Sequence, residues 1–119
     1  MPAGRYNFTI EQGASHRIKF IARDKRTNEL LDLTGYSARM QARQSVGSPT
    51  ALLDLDTGSK GGLEIDGPDA EVVLDLTEAQ TAAISVPEMV YDIELVAPDG
   101  WVMRFMKGKI KVDFEVTRD

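Results

Sequence analysis

Few side chains in this chain of 119 residues can do chemistry, because Cys is absent and His16 is the only histidine. Disulfides, thiolate nucleophiles and zinc sites built on Cys or on two or more imidazoles are excluded together. A hydroxyl nucleophile would need His16 as its base, held against it by hydrogen bonds. The Gly-x-Ser-x-Gly elbow that presents such a serine is missing, since Gly35-Tyr36-Ser37-Ala38-Arg39 lacks the second glycine. His16 is therefore expected to be a polar residue near the start of a strand.

Hard cations want clustered oxygens, and the stretch from Asp54 to Glu64 is acidic. An EF-hand loop starting at Asp54 has Asp56 at its third position and then fails. Gly58 stands where an oxygen ligand belongs, Ser59 where glycine is needed, and Ile65 where the bidentate Glu should be. A looser oxygen site from Asp54, Asp56, Asp66 and Asp69 is the remaining metal alternative, set against a solvated acidic rim. Gly58-Ser59-Lys60-Gly61-Gly62 has neither Walker spacing nor a following helix pattern, and reads as a flexible hairpin loop. Paired carboxylates for glycosidase chemistry carry little information among 19 acidic residues. No catalytic residue, cofactor or metal ligand is assigned.

Surface features say more. Residues 1–50 sum to +4, residues 51–100 to -11 and residues 101–119 to +2, within a net charge of -5. Either the ends pair with the middle inside one fold, or the domain is electrostatically polar and copies attract head to tail. Arg39, Gln41 and Arg43 make a polar stripe on one strand face, and Lys107, Lys109 and Lys111 make another. Trp101 follows a turn, where it either covers one end of the fold or stands exposed as a contact. Arg39, Arg43, Trp101, Arg104 and Lys107 are the candidate interface residues.

These residues must be positioned by strands. Tyr6, Phe8 and Ile10 alternate with polar residues, and Ile18, Phe20 and Ala22 alternate with Arg17, Lys19 and Ile21. Asp24 to Asn28 is a loop, and Thr34-Gly35 turns into a strand with Tyr36, Ala38, Met40 and Ala42 on one face. Short strands are expected at Leu52–Leu55, Leu63–Ile65 and Glu71–Leu76, with turns at Gly58–Gly62 and Gly67-Pro68-Asp69. Thr77 to Ile84 predicts a helix of about two turns, with Thr77 and Gln80 in capping-box spacing and Pro87 as the stop. Val90–Val96 and Trp101–Lys107 form a hairpin about Pro98-Asp99-Gly100. Gly108 is expected to break that strand, with a last strand alternating Ile110, Val112, Phe114 and Val116.

Strands at this spacing predict one antiparallel sandwich or barrel of roughly seven or eight strands, spanning 1–119 as a single domain. Such a chain buries roughly two-thirds of its unfolded surface, so it needs no staples. No apolar run exceeds three residues, which leaves no membrane partner and no signal-peptide core. An acidic chain has no general attraction for nucleic acid. Synthesis in a cytoplasm is expected.

At Asp32-Leu33-Thr34-Gly35-Tyr36, followed by Ala38-Arg39-Met40-Gln41, the chain resembles small tail-associated proteins of tailed bacteriophages and the N-terminal domain of phage baseplate upper proteins. The resemblance extends to Phe8-Thr9-Ile10-Glu11-Gln12-Gly13, Tyr91-Asp92-Ile93-Glu94-Leu95, Asp99-Gly100 and Gly108-Lys109-Ile110-Lys111-Val112. It implies an immunoglobulin-like β-sandwich that docks to other virion proteins, with no catalytic residues carried over; copies of the chain itself are the further partner that the uneven charge suggests. The sequence given ends after the sandwich, so a compact ring, adaptor or decoration subunit is expected rather than a holder of receptor-binding components. A carbohydrate-binding module built on Trp101, a capsid-decoration module and a regulatory protein binding a host factor are the alternatives.

Overall fold

The computed structural model describes residues 3–117. Among them the elements run β1 Gly4–Arg5, β2 Phe8–Glu11, β3 His16–Ile21, β4 Ser37–Arg43, β5 Leu53–Asp56, β6 Leu63–Asp66, β7 Glu71–Leu76, α1 Glu78–Ala82, β8 Glu88–Val96 and β9 Val102–Asp113. The large sheet has the order β1-β9-β8-β4-β5, with β2 also on β9, and the small sheet has the order β3-β7-β6. The two sheets form the expected β-sandwich, with one short helix.

Alternation decides which face of each strand is buried. In β4, Ala38, Met40 and Ala42 point inward while Ser37, Arg39 and Gln41 stay exposed. In β8, Met89, Tyr91, Ile93 and Leu95 are buried. From the small sheet, Val72, Leu74 and Leu76 of β7 and Leu63 of β6 join the same core. Fully burying each such side chain stabilises the fold by roughly 1.5–3 kcal/mol.

The strand count exceeds the seven or eight expected. The N-terminal strand is split around Tyr6-Asn7, and both halves run parallel to β9 rather than antiparallel. The strands expected on either side of Gly108 are instead one continuous β9. Gly108 does not break it, because its missing side chain has another cause. A Cβ there would lie 2.1 Å from the Tyr6 carbonyl oxygen, which presses against the strand between β1 and β2. The irregularity in β9 falls instead between Ile93 and Glu94 of its partner, where Phe105 is an extra residue. The Phe105 ring packs edge-on against Phe20 with centroids 6.1 Å apart. The last strand also stops earlier than expected: the ladder ends at Asp113, and Phe114 and Val116 are exposed beyond it.

The helix keeps its predicted cap but is shorter than two turns. The Thr77 hydroxyl accepts from the Gln80 N–H at 3.1 Å, and the Gln80 side-chain oxygen accepts from the Thr77 N–H at 2.8 Å. Ala83 closes the helix, well before Pro87, and Ile84 drops into the core. Thr81 is fully buried, and its hydroxyl accepts from the Gly13 N–H at 3.0 Å while lying 2.9 Å from the Ala14 carbonyl. The helix thereby clamps the turn between β2 and β3. On that same turn the Nε2 of His16 accepts from the Glu11 N–H at 2.8 Å, the structural role expected of it.

Candidate functional site

The outer face of the large sheet carries most of the candidate residues, and register fixes its charge pattern. One row runs Arg43, Val90, Lys109 across β4, β8 and β9. The next runs Asp54, Gln41, Asp92, Lys107, Arg5 from β5 to β1. The third runs Asp56, Arg39, Glu94, Arg104. Thus the acids of β8 separate the cations of β4 from those of β9, except in the first row, where neutral Val90 lies between Arg43 and Lys109.

Six ion pairs form among the described residues. Arg39 donates to Glu94 at 2.7 Å, Arg104 lies 3.5 Å from Asp92, and Lys109 lies 3.8 Å from Glu88. On the small sheet Arg17 meets Asp75 at 2.6 Å and Lys19 meets Glu71 at 3.4 Å, and at the β5–β6 turn Lys60 meets Asp54 at 2.9 Å. Every acid in these pairs belongs to the acidic middle of the chain, and all the cations but Lys60 come from its basic ends. The uneven linear charge is therefore partly folded onto itself. Exposed pairs of this kind contribute roughly 0–1 kcal/mol each, less than one buried Ile93. The core holds the sandwich, so these surface charges are available for recognition.

Several cations meet in one place. A hollow of about 420 Å³ is lined by Arg5, Arg43, Arg104, Lys107 and Lys109, with Val46, Val90, Gln41 and Asp92. Arg43 donates to the Ser48 carbonyl at 2.9 Å and to the Gln41 side-chain oxygen at 2.7 Å, both uncharged. Among the described residues neither Arg5, Arg43 nor Lys107 has a carboxylate within ion-pairing distance. The hollow is therefore a net cationic groove.

A second hollow beside it is lined by Arg39, Asp54, Asp56, Lys60, Asp92 and Glu94, and its charges oppose one another. The Lys60 ammonium bonds to Asp54 and holds that carboxyl below its usual range. One Asp56 oxygen accepts from the Gly58 and Lys60 N–H groups. These two carboxylates of the suggested oxygen site thus serve the β5–β6 turn. Asp66 and Asp69 lie on the next turn, where the Asp66 charge pushes the Asp69 carboxyl up.

Trp101 projects from the other end of the hairpin, 71% exposed. Its N–H donates to the Asp99 carboxylate at 3.0 Å, and its carbonyl accepts from the Ala97 N–H at 2.8 Å, so the tip is built on a closed turn. Pro98 packs against Gly35, and Gly67 packs against Thr34. Asp32, Asp66, Asp69 and Asp99 therefore gather around the same end. The Asp32 carboxyl is held below its usual range by the Thr34 hydroxyl and N–H.

Of the candidates read from sequence, Arg43, Arg104 and Lys107 meet in one groove. Arg39 sits in the net acidic hollow next to it, paired with Glu94, and Trp101 stands apart at the hairpin tip. Arg5 and Val46 were missed. Arg5 reaches the groove only through the parallel β1–β9 pairing, for which the sequence holds no local signal, and Val46 comes from the β4–β5 loop.

No family model and no curated protein matches the chain. Among solved structures, it is similar to the crystal structure of CopC from Methylosinus trichosporium OB3b, at 16% identity and a TM-score of 0.46, over 92% of this chain and 87% of that one. A likeness at this identity concerns the fold alone.

Proposed function

We propose that this protein is a structural component of a tailed-phage virion, in the tail or baseplate or as an adaptor, acting by protein–protein assembly. One observation carries the reading. Of the segments that bear the phage resemblance, Phe8–Gly13, Ala38–Gln41, Tyr91–Leu95 and Gly108–Val112 are far apart in sequence but supply neighbouring strands β2, β4, β8 and β9 of one sheet, and Asp32–Tyr36 and Asp99-Gly100 are turns that lead into β4 and β9. The resemblance thus gathers on one sheet and the turns that feed it. That surface offers a polar, charge-patterned face with an exposed aromatic beside it, the ingredients of a register-specific interface. Labelling purified particles of the encoding phage with antibody to this chain, viewed by electron microscopy, tests the reading. Label at the tail supports it; particles without the protein overturn it.

The exposed Trp101 favours a second reading, a carbohydrate-binding module with the indole as sugar platform. Binding on a glycan array that disappears in Trp101→Ala would select it.

A further inference from the structure

We propose that the Trp101 tip of one copy seats in the cationic groove of the next, giving a head-to-tail contact between copies of this chain. The inference deepens the assembly reading above and rests on it. Groove and tip complement each other in chemistry. The groove has a small apolar patch, Val46 and Val90, surrounded by Arg43, Arg104, Lys107 and Lys109. Val46 is 88% exposed and Trp101 71%, so each is an apolar side chain that the isolated copy leaves uncovered. An indole is the preferred aromatic partner of a cation placed over its face, and a desolvated arrangement strengthens the attraction. Asp99 beside the indole supplies a carboxylate for Lys107, Arg43 or Arg5, the groove cations that have none.

Geometry separates the two halves within a chain. Trp101 leaves the sheet beyond the Val96–Val102 row, whereas Val90, the strand part of the groove's apolar patch, lies on the Arg43–Val90–Lys109 row, with Lys107 and Arg104 on the two rows after it. A copy cannot fill its own groove, so the contact is heterologous and leads to a closed ring or an open filament. The tip is pre-formed by its turn hydrogen bonds, which lowers the ordering cost of docking.

Sedimentation velocity of the full chain over a concentration series tests this. The parent chain is expected to self-associate, and Trp101→Ala and Lys107→Glu each to weaken association at least ~10-fold, as for a buried anchor. Val46→Ser, at a fully surface position, is expected to act in the same direction. The decisive arm mixes two variants that are each monomeric. Trp101→Ala keeps a working groove and Lys107→Glu keeps a working tip, so together they form a 1:1 dimer that grows no further. A parent that stays monomeric at every concentration overturns the proposal, as does association unchanged in the variants or a mixture that forms no dimer. A monomeric parent whose groove binds heparin, lost in Lys107→Glu, assigns the groove to a polyanion and overturns it too. Particle content separates this from the parent reading: a monomeric chain that is present in virions defeats only the self-docking, whereas absence from virions defeats the assembly role.

Discussion

Gly108→Ala tests the packing that builds the large sheet. An alanine Cβ would lie 2.1 Å from the Tyr6 carbonyl oxygen and 2.8 Å from the Asn7 side-chain oxygen, where real contacts stay at 3.0 Å or beyond. The closer atom is backbone, so relief requires the β1–β2 junction to leave β9. Three hydrogen bonds lie in that junction: Tyr6 N–H to the Lys107 carbonyl at 2.9 Å, Lys109 N–H to Asn7 Oδ1 at 2.9 Å, and the Tyr91 hydroxyl to the Tyr6 carbonyl at 2.6 Å. At about 1 kcal/mol each, with overpacking strain added, the expected loss is roughly 3–5 kcal/mol. For a domain of this size that lowers the melting midpoint by roughly 10–20 °C. Thermal and urea unfolding followed by circular dichroism measures it, with Gly47→Ala as control, since a Cβ at Gly47 meets nothing within 4 Å. If Gly108→Ala melts with the parent, the close approach and the parallel pairing it accompanies are wrong.

Other expectations follow from the same geometry. Thr81→Val keeps the shape but leaves the part-buried Gly13 N–H without its acceptor, and is expected to cost about 1–3 kcal/mol in urea unfolding. Burial pushes the Tyr91 phenol well above its ordinary value. The unfolded chain then loses this proton first, so stability falls as pH rises through the ordinary tyrosine range, and Tyr91→Phe is expected to flatten that alkaline limb of the melting profile. For Asp69 the folded carboxyl is raised by Asp66, so its contribution to stability declines as pH rises from the ordinary aspartate value to the folded one. Asp66→Asn is expected to move the Asp69 titration, read by NMR, downward. Double reversal of Arg39 and Arg43 to Glu is expected to impair assembly, with particle incorporation as the readout; unchanged incorporation removes both from the interface.

How far the sequence could be read depended on whether the signal was local. The strands β4 and β8 were legible because one face is buried and the other is polar, so Met40 and Ile93 alternate cleanly with charged or polar neighbours. The helix cap was legible because Thr77 and Gln80 satisfy each other's backbone at fixed spacing. Gly108 misled, since a glycine demanded by an approaching backbone looks the same in sequence as one that ends a strand. The side of β9 on which β1 and β2 lie is set by pairing across about a hundred residues, and nothing near Arg5 announces it. For the same reason the groove was legible only in part. Lys107 and Arg43 could be named as cations on strand faces, but their meeting across Val90 is a matter of register. The neutralisation of Arg39 by Glu94 is equally one of pairing.

The central claim is that this chain is a built-in part of a virion, and quantitative mass spectrometry of purified particles tests it most directly. The account predicts a fixed copy number, about six or twelve for a symmetric tail ring or collar. A count in the hundreds would move the protein to the capsid surface or tail tube, and its complete absence from particles would contradict the account.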